Sequence, residues 1–262
     1  MMKKLILICF IVIFFIAGCD KEKDTHTLIT NNYNSILYPP LIPNKNPTVR
    51  QKIRKNLLAD NKIMNTMIES NSDGFIEKVL FDDDTQNMNI DYNNKTMHFD
   101  RIDVTLQLNS NNDILGYLYI NNEQLASLSY NELGQLIKLE DKHPQTREKR
   151  QQFFVYYDGK TIEYIVFREK YLNVNKFFYN QKGELVESIT ENYIITNDKS
   201  KTDNSPKLDI NVKQSDRKPE NLKPNSVKCI YLNHNEYGDW TNAYCMKGNG
   251  VILVVYTREL EY

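Results

Sequence analysis

Tyr179-Asn180-Gln181-Lys182-Gly183-Glu184-Leu185 is a turn written between two strands. Before it, Phe177 and Tyr179 fall on one face of an extended segment and Phe178 on the other. After it, Leu185, Glu187, Ile189 and Glu191 alternate again. Asn180 caps the turn backbone, and Gly183 takes the left-handed conformation that closes a short hairpin with a bulge. The same spacing, Asn/Asp-x-x-Gly-x-apolar, recurs at 71–76, 113–118, 131–136 and 235–240, and Asp158-Gly159 is a tighter version. The turn-forming glycines are therefore Gly74, Gly116, Gly134, Gly159, Gly183 and Gly238, with Asn93-Asn94 as an extra turn inside the doubled first interval. Units of about 18–25 residues are one hairpin each, which is repeat-scale spacing. The segments between turns are rich in Tyr, Phe, Ile, Val and Thr, as half-buried strands require. Seventeen tyrosines suit a sheet both of whose faces see some water.

Tyr130-Asn131-x-x-Gly134-x-Leu136 and Tyr179-Asn180-x-x-Gly183-x-Leu185 resemble the tyrosine-aspartate (YD, Rhs-type) repeat, with Asn replacing Asp in most units. The resemblance runs over roughly residues 70–262 with a gap. It implies a mainly β fold of consecutive antiparallel hairpins forming a curled repeat sheet, and it implies no catalytic residue. The segment 235–240 and the closing stretch 257–262 are similar to the last unit of small bacterial lipoproteins that carry such repeats.

At the other end, Ile16-Ala17-Gly18-Cys19 resembles the lipobox of bacterial lipoprotein precursors. Lys3 and Lys4 form a basic start, and residues 5–17 are an uncharged run of thirteen. That is too short for a bilayer core, which needs about 20 apolar residues. The resemblance implies removal of a signal peptide, 1–18, and attachment of diacylglycerol and an acyl chain to Cys19. Each buried methylene contributes about 0.8 kcal/mol, so such chains hold the protein in a membrane. Asp20 resembles an inner-membrane retention signal, Lys21 weakens it, and the charged run 20–24 looks like a surface-export tag. The expected location is the Gram-negative cell envelope, with the outer membrane placed ahead of the inner.

Residues 19–47, with Pro39, Pro40, Pro43 and Pro47, read as a flexible lipid-anchored tether. Val49, Ile53 and Leu57 recur every fourth residue, so a short N-terminal helix is expected from Pro47 to about Asp60. Its basic first turns oppose the helix dipole. Residues 63–69 read as a strand into the Gly74 turn, with helix as the other reading. The β domain is expected to span 48–262. Within it, 197–225 is a polar, proline-bearing loop.

Two of the 33 Lys and Arg lie in the leader, leaving 31 against 34 acidic residues, a formal charge of −3. That is no footprint for nucleic acid. Cys9 leaves with the leader and Cys19 is acylated. Cys229 and Cys245 remain, placed symmetrically about Tyr237, so a hairpin turning there sets them opposite each other as a disulfide. A metal site and a reactive thiol are the rival readings, but His234 alone cannot complete a four-ligand zinc shell. No cofactor is expected.

The chain lacks a Gly-x-Ser-x-Gly elbow, an HExxH helix, a P-loop and a dinucleotide fingerprint. His98 and Asp100 share a strand face, but no nucleophile is marked beside them. Asp82-Asp83-Asp84 lacks the glycine and distal glutamate of a calcium loop. Trp240 with Tyr237 and Tyr244 could form an aromatic ligand platform, with a core plug as the other reading of a lone Trp after a hairpin turn. Three functions fit: a non-enzymatic lipid-anchored scaffold or binding protein with an envelope partner, a periplasmic immunity protein against a toxin, and an envelope glycan hydrolase. The last needs a carboxylate pair about 5–9 Å apart.

Overall fold

Strand β1 (Arg50–Leu57) pairs antiparallel with β16 (Ile252–Glu261) over eight residue pairs, from Arg50↔Glu261 to Leu57↔Val254. The first and last strands therefore join, and the sheet has no free edge in this computed structural model, which describes residues 24–82, 87–99, 102–119, 123–142, 148–169, 171–194 and 226–262. Between them run β2 (Lys62–Ser70), β3 (Ile76–Phe81), β4 (Met88–Asp91), β5 (Thr96–Phe99) and β6 (Ile102–Leu108). β7 (Ile114–Tyr119), β8 (Gln124–Tyr130), β9 (Leu136–Lys142), β10 (Lys149–Tyr157) and β11 (Lys160–Arg168) follow. β12 (Tyr171–Tyr179), β13 (Leu185–Ile194), β14 (Val227–His234) and β15 (Trp240–Lys247) complete the circuit. Every strand pairs with its neighbours in sequence.

The architecture is a closed antiparallel β-barrel of sixteen strands among the described residues, and it corrects the expected open, curled repeat sheet. The expected helix at 47–60 is also overturned, because that segment carries β1. Ile53 and Leu57 are four residues apart, an even number, so they share a strand face as readily as a helix face. Gln51, two residues before Ile53 on the same face, is polar yet wholly buried, which hid the period of two. The leader, Cys19 and the loop 197–225 lie outside the described residues.

Consecutive pairing puts every second turn on the same rim. Asn71, Asn109, Asn131, Asn180 and Asn235 each accept two backbone N–H bonds at Oδ1, from the residues two and four positions on, at 2.9–3.0 Å. The fourth residue of each turn has positive φ: Gly74, Asn112, Gly134, Gly183 and Gly238. The third unit is thus 109–114, with Asn112 in glycine's place at φ 61. Gly116 is not a turn residue and is corrected here. It lies within β7, where an added Cβ would stand 2.8 Å from the Ala126 carbonyl oxygen. The apolar residue after each turn points inward, and Ile76, Ile114, Leu136 and Trp240 are all buried.

Tyrosines fasten the same rim. The hydroxyls of Tyr92, Tyr130, Tyr156 and Tyr179 donate to the carbonyls of Ile76, Ile114, Leu136 and Thr161 at 2.5–2.9 Å. Register shifts accompany the turns on this rim, for example at Ser129/Tyr130 and Phe178/Tyr179. An interrupted ladder needs other donors for its carbonyls.

The segment expected to be a flexible tether closes this rim instead. Helix α1 (Thr25–Ile36) enters the barrel, a 3-10 turn (Pro39–Leu41) reverses inside it, and the chain returns to start β1. Residues 29–35 of α1 are all buried. An isolated 12-residue helix with three asparagines is not stable in water. The barrel supplies what the helix lacks. Asn31 donates to Asp113 and the Gly134 carbonyl (3.0 and 2.9 Å) and accepts from the Leu136 N–H (2.8 Å). Asn32 donates to the Tyr92 hydroxyl and accepts from the Ile76 N–H. Asn34 donates to the Tyr156 hydroxyl. Helix and rim are therefore one hydrogen-bonded unit, a plug.

Cys229 and Cys245 are direct register partners on β14 and β15, and they are joined as a disulfide with Cα atoms 4.0 Å apart. The closed loop spans 16 residues, for which chain entropy predicts about 3 kcal/mol of stabilisation. Reduction should lower the urea midpoint correspondingly. An unchanged midpoint would show that the bond constrains nothing.

Candidate functional site

Strands β11 to β16 turn a series of aromatic side chains inward over the tip of the plug. Tyr164, Phe177, Tyr231, Trp240 and Tyr256 wall a chamber of about 310 Å3, and Tyr38, Pro39 and Pro40 floor it. Alternation puts them there. Ser188 and Thr190 are the inward residues of β13 between Glu187, Ile189 and Glu191; Cys229 on β14 is the register partner of Ser188, and Tyr231 lies two residues beyond it on the same face. Tyr38 keeps 41 % of its surface accessible although the barrel surrounds it, because its ring borders open space inside.

The polar groups of the chamber are neutral. Ser188 Oγ and the Tyr231 hydroxyl are 3.0 Å apart. Thr190 donates to Asn175 Oδ1 at 2.7 Å, and the Asn175 amide donates to the Tyr164 carbonyl at 3.1 Å. Burial raises the pKa of Tyr38, Tyr231 and Tyr256, and the first two are raised further by neighbouring phenols of the same group. These hydroxyls stay protonated and available as donors.

The Trp240 ring is fixed from behind. Its Nε1–H donates to the Pro40 carbonyl at 2.9 Å, and the Arg258 guanidinium lies 4.9 Å from its centroid. Arg258 is fully enclosed. It donates to Gln51 Oε1 (3.0 and 2.8 Å) and to the Leu41 carbonyl (3.0 Å), and Asp239 stands 3.8 Å away. Asp239 in turn accepts from the Asn44 N–H (2.8 Å) and the Tyr262 hydroxyl (2.7 Å). Burial pulls the Arg258 pKa down from its ordinary value, and Asp239 opposes that shift. This network ties β1, β16, the rim and the plug together behind the aromatic wall.

The platform read from sequence is only partly assembled. Trp240 lines the chamber. Tyr237 sits in the rim turn against Tyr262, with ring centroids 4.1 Å apart. Tyr244 lies between buried Ala243 and Cys245 and so faces outward. Sequence reasoning missed Tyr38, Tyr164, Phe177 and Tyr256. Strand alternation around Tyr164 and Phe177 carried a signal for two of them.

A second concavity, of about 550 Å3, lies at the unplugged end of β8 to β11 and holds Glu140 and Asp141. Asp141 accepts from Arg150 Nε and a terminal nitrogen, at 3.0 and 2.5 Å. Lys138 and Gln151 hold the Glu140 carboxyl below the usual carboxylate range. A glycosidase acid needs the opposite shift. His98 Nδ1 pairs with Asp103 at 2.7 Å on the exposed outer face, and Asp100 lies outside the described residues. Among the described residues no cluster of His, Cys, Asp and Glu could hold a metal.

The outer wall carries ion pairs. Lys52 meets Glu259, Arg50 meets Glu69 and Glu261, Lys138 meets Glu140, Lys176 meets Glu191 and Lys228 meets Glu187. A membrane-spanning barrel has the reverse plan, with an apolar band outside. Each Lys or Arg facing lipid at mid-membrane would cost about 2–4 kcal/mol. No described helix is long and apolar enough to cross a membrane either.

No protein-family model matches the chain, and no curated protein does. A porin-like protein from Bacteroides uniformis ATCC 8492 superposes with a TM-score of 0.50 over 83 % of this chain and 99 % of its own, at 9 % identity. The likeness is one of fold, a barrel in place of the expected open sheet. The TcdB2-TccC3-Cdc42 and TcdB2-TccC3 structures align with 74 % of this chain and 10 % of theirs, at 10 % identity. Their TM-scores are 0.36 and 0.34.

Proposed function

We propose that this chain is a non-enzymatic, lipid-anchored barrel of the bacterial envelope that binds a small molecule inside its lumen. One observation carries the reading. The outer wall carries ion pairs beside the rings of Phe153, Phe167 and Tyr244, and a second set of aromatic rings lines the lumen, so the barrel is built to stand in water and to hold something within. Attachment must then come from elsewhere, and Cys19 lies five residues before the described plug begins at Asp24. At about 3.3–3.6 Å per residue, that stretch reaches less than about 20 Å. The acyl chains would bring the plugged rim toward the lipid and leave the opposite rim pointing away. Among the described residues the chamber offers hydroxyls, an amide and aromatic rings as binding groups, and no carboxylate or histidine to serve as a hydrolase's acid or base.

Replacing residues 1–19 with an ordinary cleavable secretory leader tests this reading. The native chain should sediment with membranes and require detergent for release, and the leader-swapped chain should be soluble in the periplasm. A leader-swapped chain that still sediments with washed membranes would show that the wall itself inserts, and would overturn the reading.

A further inference from the structure

We propose that the lumen chamber takes a neutral sugar, a mono- or disaccharide. This inference rests on the reading above that the chamber binds a small molecule. The volume, about 310 Å3, sits at the lower end of the roughly 300–1,000 Å3 usual for ligand pockets, so one small molecule fills it.

The chemistry of the walls selects among small molecules. Among the described residues no charged side chain lines the chamber; the nearest cations stand behind its rings, Arg258 behind Trp240, and Lys55 with its ammonium 6.0 Å from the Tyr256 centroid. A charged ligand would lose its hydration and find no counter-ion among the described lining residues. A purely apolar ligand would leave polar groups without partners, which costs more than a formed bond returns. Tyr38 and Tyr256 face the chamber, and neither hydroxyl has a protein hydrogen bond among the described residues. Burial keeps both protonated.

The polar groups are also spread around the chamber. Tyr38 offers its hydroxyl from the floor and Tyr256 from β16. Asn175 with Thr190 does so from β12 and β13, and Ser188 with Tyr231 from β13 and β14. A flat heterocycle carries its polar atoms on one or two edges. A pyranose carries hydroxyls around its whole perimeter and C–H faces above and below. Tyr38, 41 % accessible, and the half-buried Tyr164 and Tyr256 present ring surface to such a ligand, with Trp240 packed at the edge of the wall, 4 % exposed. Perimeter donors and flat rings together match a sugar.

Trp240 is the single tryptophan of the sequence and stands in the chamber wall, so its emission reports occupancy through the packing around it. The full chain in detergent would be titrated with glucose, galactose, N-acetylglucosamine, maltose and cellobiose. Glucuronate, adenine and the neutral apolar dye N-phenyl-1-naphthylamine serve as controls, with calorimetry alongside. At least one neutral sugar should saturate a change in Trp240 emission, and glucuronate should not. Tyr38→Phe and Tyr256→Phe keep the rings and remove the free hydroxyls. Each should weaken the sugar about 3- to 10-fold with the melting temperature unchanged. Saturation by adenine or the dye but by no sugar would overturn the sugar assignment and leave the chamber a binding site. Saturation by none of the probes would overturn both. Equal affinity of both phenylalanine variants for the sugar would place it outside the chamber.

Discussion

Arg258→Met should destabilise the barrel by about 3–5 kcal/mol, the usual cost of removing one partner from a buried ion pair. The substitution keeps most of the side-chain volume and removes every donor. Asp239 is then a carboxylate 2 % exposed with its ion-pair partner gone, Gln51 Oε1 loses two bonds and the Leu41 carbonyl loses one. These groups belong to four separate parts of the chain, so the loss is felt at the barrel closure, the rim and the plug together. Guanidinium unfolding followed by far-ultraviolet dichroism measures it. Adding Asp239→Asn should recover part of the cost, because an amide does not leave a buried charge. A variant Arg258→Met that unfolds at the native midpoint would show that the network contributes nothing.

Asn31→Ala should cost about 2–4 kcal/mol and loosen the plug before the barrel. Its three hydrogen bonds all cross from helix to rim, and one of them satisfies the N–H of Leu136, a residue with no exposed surface. Leaving a buried donor unpaired costs about 1–3 kcal/mol, and the two bonds Asn31 donates add to that. Alanine is the better helix former, so intrinsic propensity works the other way by a few tenths of a kcal/mol. Tertiary bonding outweighs propensity here. Hydrogen exchange should show faster exchange over 25–36 than over β14 and β15, and the unfolding midpoint should fall. Exchange of α1 at the native rate would rule out the asparagine contacts as what holds the plug.

Much of the barrel is written locally. The Asn-x-x-Gly-x-apolar pattern marks turns because every part of it acts within six residues. The asparagine oxygen takes two N–H groups, the glycine takes positive φ, and the apolar residue enters the core. The phase at Gly116 was misread because Asn112 performs the glycine role there, and asparagine at positive φ looks like any polar residue. The cysteine pairing was legible for the same local reason, since a hairpin fixes the register across it.

Closure was not legible. A curled sheet and a closed barrel have the same turns and the same alternation, and they differ in whether β1 meets β16, some 200 positions away. No local pattern records that meeting. The plug was hidden by its own composition. Asparagines and prolines usually describe exposed chain, and here the barrel interior supplies bonds to Asn31, Asn32 and Asn34 that solvent would otherwise provide. Ile29 and Tyr33, one helical turn apart and both buried, were the apolar stripe that pointed to a helix. The chamber escaped notice because its members come from six strands and one turn. Only Trp240, the sole tryptophan, drew attention by itself.

Pairing of the first strand with the last has a consequence for how the molecule is made. The helix that stops the rim leaves the ribosome before any strand, and the seam can be sewn only after β16 has emerged. The helix can thus serve as a mandrel around which successive hairpins are laid. Until the seam forms, β1 and β16 each expose a row of unpaired backbone groups, an invitation to pair with another copy. Loss of the last ten residues would make that exposure permanent, so the cost of a late truncation is aggregation rather than a shorter barrel.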